Sequence, residues 1–481
     1  MTKLNGFKIA ALSLILAMTG SAAAQTFSPL LSFEGAITGT STGPLIQGVD
    51  GSLYSSGSGG VYGNGTIFKI TPGAQLIVLY NFCAQSDCPD GAAPGQLVLG
   101  TDGNFYGAAA HGGSPNCEYD CGTLFKLTPN GQFSILYEFS GPDGCNPFGA
   151  LVEALDGSFY GTTVGCGTNG GGTVFNVTRQ GRLRTVYNFC AQPQCSDGDA
   201  PTSTLALGSD GNLYGITAWG GTGENCYSFL YFGCGTAFRV TPTGSLTTLY
   251  SFCSVQPSCA DGYEPYSAPL LATNENLYGV TETTAYGLTP SGRLTTLYTF
   301  CSKLDCADGS YANGVLDEGT DKNLYGVTAQ GGSSGSCGSE GCGTIFQITR
   351  TDSFAVLHSF DGTDGAKPWG GLFEATNGKF YGTATTSGAF GYGTLFSLDA
   401  GLGPFVAFVR PFGKVGQIVQ ILGQGFNGTS EVSFNGIPAK FEVRAGTFLT
   451  ATVPPGATTG YVTVTTPTGV LTSNVPFRVV Q

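Results

Sequence analysis

An all-β chain, a seven-bladed β-propeller of four-stranded blades followed by an immunoglobulin-like sandwich, is what this sequence predicts. Three observations carry the prediction. Glycine supplies 78 of 481 residues, and short aromatic or β-branched runs parted by Asp-Gly, Gly-Gly and Pro-x-Gly stand where helical periodicity would otherwise be sought. One phrase, "NLYGVTAQGG" from Asn323 onward, recurs with small changes around Tyr54, Tyr106, Tyr160, Tyr214, Tyr278, Tyr325 and Tyr381, a mean spacing of about 54 residues. The ends are complementary: "FSPLLSFEG" (27–35) copies the last piece of a repeat, as in "ILYEFSG" (135–141), with no repeat before it, and the seventh repeat stops one piece short at "GTLFSLD" (393–399).

The chain begins with a lysine-bearing segment, Lys3 and Lys8, then an apolar run from Ile9 to Met18, then Ala22-Ala23-Ala24. About ten apolar residues are too few for a bilayer, which takes roughly twenty, and suit a signal peptide (1–24) cut after Ala24. Export to the cell surface or medium is therefore expected. No later segment has the length and apolarity of a membrane span, and no hydrophobic anchor is expected at "VPFRVVQ". The formal charge is −13, and removal of residues 1–24 takes two lysines and no acid. Such acidity repels phosphate backbones, so no nucleic-acid partner is expected.

Within a period, four strand-like pieces follow in fixed order: "PGQLVLGTDG", "NFYGAAAHGG", "GTLFKLTPNG" and "FSILYEFS" over residues 94–140. Four per period is the count of a propeller blade. Named a to d from the axis outward, strands a and b join through Asp50-Gly51, Asp102-Gly103, Asp156-Gly157 or Asp210-Gly211, and c and d through Thr-Pro-x-Gly, as at 128–131 and 289–292. Both are tight turns in which Gly supplies a positive φ and Pro presets φ. The orphan strand at 27–33 is expected to complete the blade begun near Trp369, hiding the edges that an open array would leave. The repeated Tyr is expected to pack between sheets, as scaffold.

The b–c and d–a links must then leave on the opposite side, and all sixteen cysteines lie in them. Parity and proximity favour eight local disulfides, in keeping with an oxidising compartment: Cys83/Cys88, Cys117/Cys121, Cys145/Cys166, Cys190/Cys195, Cys226/Cys234, Cys253/Cys259, Cys301/Cys306 and Cys337/Cys342. Zinc is disfavoured by the company these cysteines keep, since the chain has only His111 and His358. Long loops stiffened on one side suggest a working surface.

Catalytic signatures are faint, and no cofactor or metal is expected. Two histidines are too few for copper-radical chemistry. The Asp-Gly turns lack the Trp and the Arg cluster of a sialidase, and "GGSSGSCGSEGCG" (331–343) lacks the Lys and helix of a phosphate loop. Glycosidase carboxylates could be sought among Glu153, Glu264, Glu318 and Glu374, and Glu153 and Glu374 hold equivalent strand-a positions expected to face the central channel as solvated groups. Asp90, Asp143, Asp197, Asp261, Asp308 and Asp364 recur in the d–a links, as turn residues rather than calcium ligands. Trp219 and Trp369 fall on the looped side, where Tyr227, Phe229, Tyr231 and Phe232 add aromatic surface suited to sugar rings or a protein anchor.

From about residue 403 cysteine disappears and some seven alternating strands fit into 80 residues, the pattern of an immunoglobulin-like domain. "GQIVQILGQGF" (416–426), "VSFNGIPA" (432–439), "ATVPPGA" (451–457) and "TTPTG" (465–469) resemble the IPT/TIG domain over residues 403–481. The repeats, through "DGNLYGITAWGG" (210–221), "GTxFxxTPxG" and "LYxFxxxxDGxxP" over about residues 44–400, resemble the GloVer tandem repeats of exported bacterial proteins. That resemblance implies export and surface association and brings no catalytic residues. The expected organisation is signal peptide 1–24, propeller 25–402 and IPT/TIG domain 403–481. The expected function is non-catalytic extracellular binding or adhesion, with polysaccharide the favoured ligand and an extracellular protein the other partner class. An extracellular carbohydrate-active hydrolase or lyase, or a structural envelope component, are the alternatives.

Overall fold

The computed structural model describes residues 25–35, 43–115, 117, 120–202, 204–223, 233–333 and 337–480. The expected signal peptide lies outside them, as do Cys226, Tyr227, Phe229, Tyr231 and Phe232. The described chain is all-β: three short 3-10 turns, at Pro193–Cys195, Leu304–Cys306 and Gly338–Glu340, are its only helical elements. None of its helices is long and apolar enough to cross a membrane.

Seven antiparallel sheets follow one another along residues 46–399, each with the a–b–c–d order read from the repeats; the first runs Ile46–Gln47, Leu53–Gly57, Thr66–Ile70, Leu76–Asn81. In the seventh sheet the fourth position is taken by Thr26–Ser32, which pairs antiparallel with Thr394–Asp399, Thr26 opposite Asp399 and Ser32 opposite Thr394. Except in the seventh sheet, where it runs Ala366–Glu374, strand a is shorter than its sequence suggested, two residues long in the first sheet and split in the second into Ala92–Pro94 and Val98–Leu99. The chain leaves extended geometry there at left-handed residues such as Ala93.

The core is divided among the junctions between sheets. Successive clusters each draw from two neighbouring sheets, and one, containing Phe33, Leu45, Leu53, Phe68, Ala375 and Leu395, joins the seventh to the first. The repeated tyrosine fills these junctions. Tyr54, Tyr106 and Tyr325 are at most 1% exposed and lie against Phe105, Phe159 and Phe380 of the next sheet at 4.1, 4.3 and 4.2 Å. Burying a phenol costs free energy unless its hydroxyl is paired. The Asp of the a–b turn provides the acceptor: Tyr54, Tyr106, Tyr214 and Tyr325 donate to Asp50, Asp102, Asp210 and Asp321 at 2.8 to 3.0 Å. The recurring phrase is thus a packing unit.

Residues 407–480 form ten short strands, more than the sequence suggested, because very short pieces such as Ile437–Pro438 pair separately. Two four-stranded sheets and the parallel pair Phe412–Lys414/Arg478–Val480 enclose a core of Val419, Ile421, Phe426, Val432, Leu449, Val464 and Phe477. This sandwich rests on the a–b turns. Thr447 donates to Val49 O (2.8 Å), Gln420 to Thr101 O (2.9 Å), Arg410 to Ala154 O (2.9 Å) and Gln424 to Thr376 Oγ1 (2.9 Å), while Asn474 O accepts from Lys322. Among the described residues these bonds run to the a–b turns and none reaches a d–a or b–c link.

Candidate functional site

The d–a links share a local grammar, Asp-Gly-x-y-Pro-z in five of the repeats. The Asp is an anchor: Asp90, Asp197, Asp261 and Asp308 each accept the hydroxyl of a strand-d tyrosine at 2.7 to 2.8 Å together with loop N–H groups. Asp364 takes His358 Nε2 instead, at 2.7 Å. These carboxylates are spent on holding the links, which accounts for them without a cation. The Gly is obligatory. Gly309 has φ +91°, and a Cβ there would come within 2.4 Å of Thr328 Oγ1.

Position y is held left-handed by non-glycine residues in all six links: Ala93, Asn146, Ala200, Glu264, Tyr311 and Lys367, with φ between 49° and 57°. That conformation costs an L residue about 1–2 kcal/mol, and such strain gathers at functional sites. Position z follows the turn inward, and Gly95, Phe148, Thr202, Tyr266, Asn313 and Trp369, with Pro44 from the first sheet, line one cavity of about 220 Å³ where all seven sheets converge.

The mouth of this cavity is aromatic and acidic. Trp369 is 40% and Phe148 55% exposed, and Tyr311 meets Trp369 edge-on at 5.7 Å. Tyr266 donates to Glu264 Oε2 at 2.9 Å. Glu282, in the b–c turn of the fifth sheet, has its carboxyl pushed up by burial and then by the charge of Glu264, against a hydrogen bond from Tyr311. Burial and the neighbouring Glu264 likewise raise the Tyr266 phenol. Thr202 Oγ1 and Asn313 Oδ1 are buried with no hydrogen-bond partner among the described residues. An unmade bond of this kind costs about 1–3 kcal/mol, which a polar guest in the cavity would return.

Of the residues singled out in the sequence, Trp369 and Glu264 stand at this mouth. Trp219 is half-buried, its backbone bridged to Asp199 (2.9 and 3.0 Å), and lies outside the cavity lining. Tyr227, Tyr231 and Phe232 fall outside the described residues. Seven disulfides join the expected partners, Cys83–Cys88, Cys117–Cys121, Cys145–Cys166, Cys190–Cys195, Cys253–Cys259, Cys301–Cys306 and Cys337–Cys342. The eighth expected pair, Cys226/Cys234, is not among these seven. Cys234 is fully buried and disulfide-bonded, but its expected partner Cys226 falls outside the described residues, so that pairing stays an expectation of the sequence. Among the described residues the one trio of ligand-type side chains within ligating distance is Cys190, Cys195 and Asp199, and its two sulfurs are already bonded to each other.

The strand-a glutamates are a correction. Glu153 and Glu374 are 7% and 6% exposed and are not solvated channel groups. Each reaches the a–b turn of the preceding sheet: Glu153 accepts from Thr101 N and Oγ1 (2.8 and 2.6 Å), Glu374 from Thr320 (2.9 and 3.0 Å), and Glu318 from Thr273 (3.0 and 2.8 Å). Gln47 does the same across the seventh-to-first junction, donating to Thr376 Oγ1 and accepting from Thr376 N, both at 2.9 Å. These side chains are inter-sheet latches. Phe148, Tyr266, Tyr311, Glu282 and Asn313 were not singled out in the sequence. For all of them except Glu282, which lies in a b–c turn, the signal was the variable y and z slots behind a constant Asp-Gly, visible by aligning the repeats with one another.

The family model described as the Gloeobacter/Verrucomicrobia repeat matches residues 41–285 and 230–429. No curated protein sequence matches the chain. Among solved structures, a streptogramin B lyase is similar at TM-score 0.50 and 16% identity, over 78% of this chain and 97% of that one. The extracellular domains of a one-component and of a hybrid two-component system from B. thetaiotaomicron are similar at TM-score 0.50 and 10% identity. The alignments take in 95% and 94% of this chain and 58% of each of those. At such identities the likeness is one of fold.

Proposed function

The chain belongs to the Gloeobacter/Verrucomicrobia repeat family, and from that premise we propose that it is an exported, non-catalytic binding protein whose ligand is a polysaccharide. In this reading residues 25–402 are a closed seven-bladed propeller and residues 403–481 an IPT/TIG-type domain. The strand Thr26–Ser32 in the seventh sheet and the Gln47–Thr376 latch support the closure. The observation that carries the function is the cavity to which seven sheets each bring a residue, rimmed by the exposed rings of Trp369 and Phe148 and by Glu264 and Tyr266. Flat aromatic faces stack on the C–H faces of sugars while carboxylates and phenols take their hydroxyls. Trp219 is kept in this reading as a second aromatic candidate for ligand contact.

Calorimetry against a polysaccharide panel tests the reading. Binding should weaken at least tenfold in Trp369→Ala and Phe148→Ala, and binding that is absent, or indifferent to both, refutes it. The Glu264–Glu282 pair, one carboxyl raised beside another, favours a second reading as a carbohydrate hydrolase or lyase. New reducing ends or unsaturated products, lost in Glu282→Gln, would establish it. Co-sedimentation with cell walls without either response would favour a structural envelope role.

A further inference from the structure

On the side away from the links, a cleft of about 790 Å³ opens between the sandwich and the third and fourth sheets. This volume lies in the range of small-ligand sites, which favour the boundaries between packed units. Leu155, Leu207, Pro242 and Val480 supply apolar wall.

Two arginines flank the ring of Phe412 here, Arg410 at 5.3 Å and Arg478 at 5.0 Å, but they are not equivalent. Arg410 donates through Nη1 to Ala154 O and Leu155 O and lies 3.8 Å from Glu153, so it is engaged with the third sheet. Arg478 lines the cleft, makes no ion pair among the described residues, and its buried Nε has no hydrogen-bond partner. A guanidinium with unused donors in a partly desolvated cleft is an incomplete fork for a carboxylate. Asp156 and Asp210 line the same cleft and Lys414 stands at its rim. Glu275 and Asp210 both act on Arg478, and Arg410 on Asp156, so the cleft holds no large excess of positive charge and disfavours a phosphate dianion. Asp210 already accepts from Asn212 and Tyr214, whereas the bonds to Asp156 both end on Oδ1, which leaves its Oδ2 to accept a sugar hydroxyl.

We propose that this cleft is a second binding site, for a monocarboxylate sugar such as a uronic acid, with Arg478 clasping the carboxylate and Asp156 receiving a hydroxyl. The site is independent of the loop-side cavity and stands or falls separately from it.

The test is calorimetry of the full chain with galacturonate, with its neutral counterpart galactose and with inorganic phosphate. Galacturonate should bind, at least tenfold tighter than galactose, and lose at least tenfold in Arg478→Gln. Equal affinity for galactose, competition by phosphate at equal concentration, or an unaltered Kd in Arg478→Gln overturns the proposal. Should Arg478→Gln disturb the edge strand Arg478–Val480, hydrogen exchange of the unaltered protein decides. Galacturonate should slow exchange in peptides spanning 154–160, 207–211 and 412–417, and protection elsewhere, or none, rejects the site.

Discussion

Replacing Glu374 by Gln isolates the latch between the sixth and seventh sheets. The Glu374 carboxyl is buried and lies beside Asp317, whose Oδ2 accepts from Glu374 N at 2.7 Å. Burial and then the charge of Asp317 push the Glu374 carboxyl from 4.5 up to about 8. An acid whose folded value is raised contributes stability that is complete below its unfolded value and is lost as pH climbs through the folded one. Between 4.5 and about 8 the native chain keeps a proton that the unfolded chain has released. Each pH unit of that window costs about 1.4 kcal/mol, so Glu374 alone withdraws up to about 5 kcal/mol by pH 8. Glutamine does not titrate, and Gln47 already makes both latch bonds at 2.9 Å in the equivalent place. Glu374→Gln should therefore match the parent protein near pH 4.5 and exceed it by several kcal/mol at pH 8.5, with a flatter profile between. Urea denaturation at half-unit pH steps, followed by tyrosine and tryptophan fluorescence, measures this. A variant destabilised at every pH, or a parent profile with no fall between pH 5 and 8, refutes the account of the latch.

The opposite outcome is expected one junction type away. Glu153 also meets Arg179 Nη2 at 2.6 Å and Arg410 at 3.8 Å, so Glu153→Gln leaves the buried Arg410 and the half-buried Arg179 short of a counter-charge and should cost about 3–5 kcal/mol in urea denaturation at pH 7. Gly262→Ala forces an L residue to φ +88° and brings a Cβ within 2.4 Å of Thr281 Oγ1; a loss of about 2–4 kcal/mol in the same assay is expected. Tyr106→Phe removes the hydroxyl that donates to Asp102 at 2.8 Å and should cost about 1 kcal/mol with unchanged circular dichroism. Each short disulfide closes about six residues and is worth roughly 2 kcal/mol in the chain-entropy model, so dithiothreitol should raise hydrogen exchange in the links before the sheet cores respond.

The periodic part of the fold was legible because it is made locally. Seven strand sets, their a-to-d order and the disulfide partners within four to six residues all depend on turn chemistry and short-range pairing that each repeat carries in full. The candidate site was half legible. Trp369 stood out as one of two tryptophans, whereas Phe148, Tyr266, Tyr311 and Glu282 look ordinary until neighbouring sheets carry their slots to one centre. The strand-a glutamates misled for the same reason, since a carboxylate near an axis reads as solvated until the adjoining turn is seen to cover it.

The sequence by itself determined the repeating unit, because side-chain alternation and Asp-Gly or Thr-Pro-x-Gly turns act within a few residues of themselves. The phase of the cut repeats also placed the closing strand in the seventh sheet, and only the tertiary structure decided which side chains join the units. The latch of Gln47 to Thr376 spans 329 residues, and the bond of Gln420 to Thr101 that helps seat the sandwich spans 319. Contacts of that separation follow from the accumulated twist of successive sheets and the fit of two finished surfaces, and no local pattern encodes either.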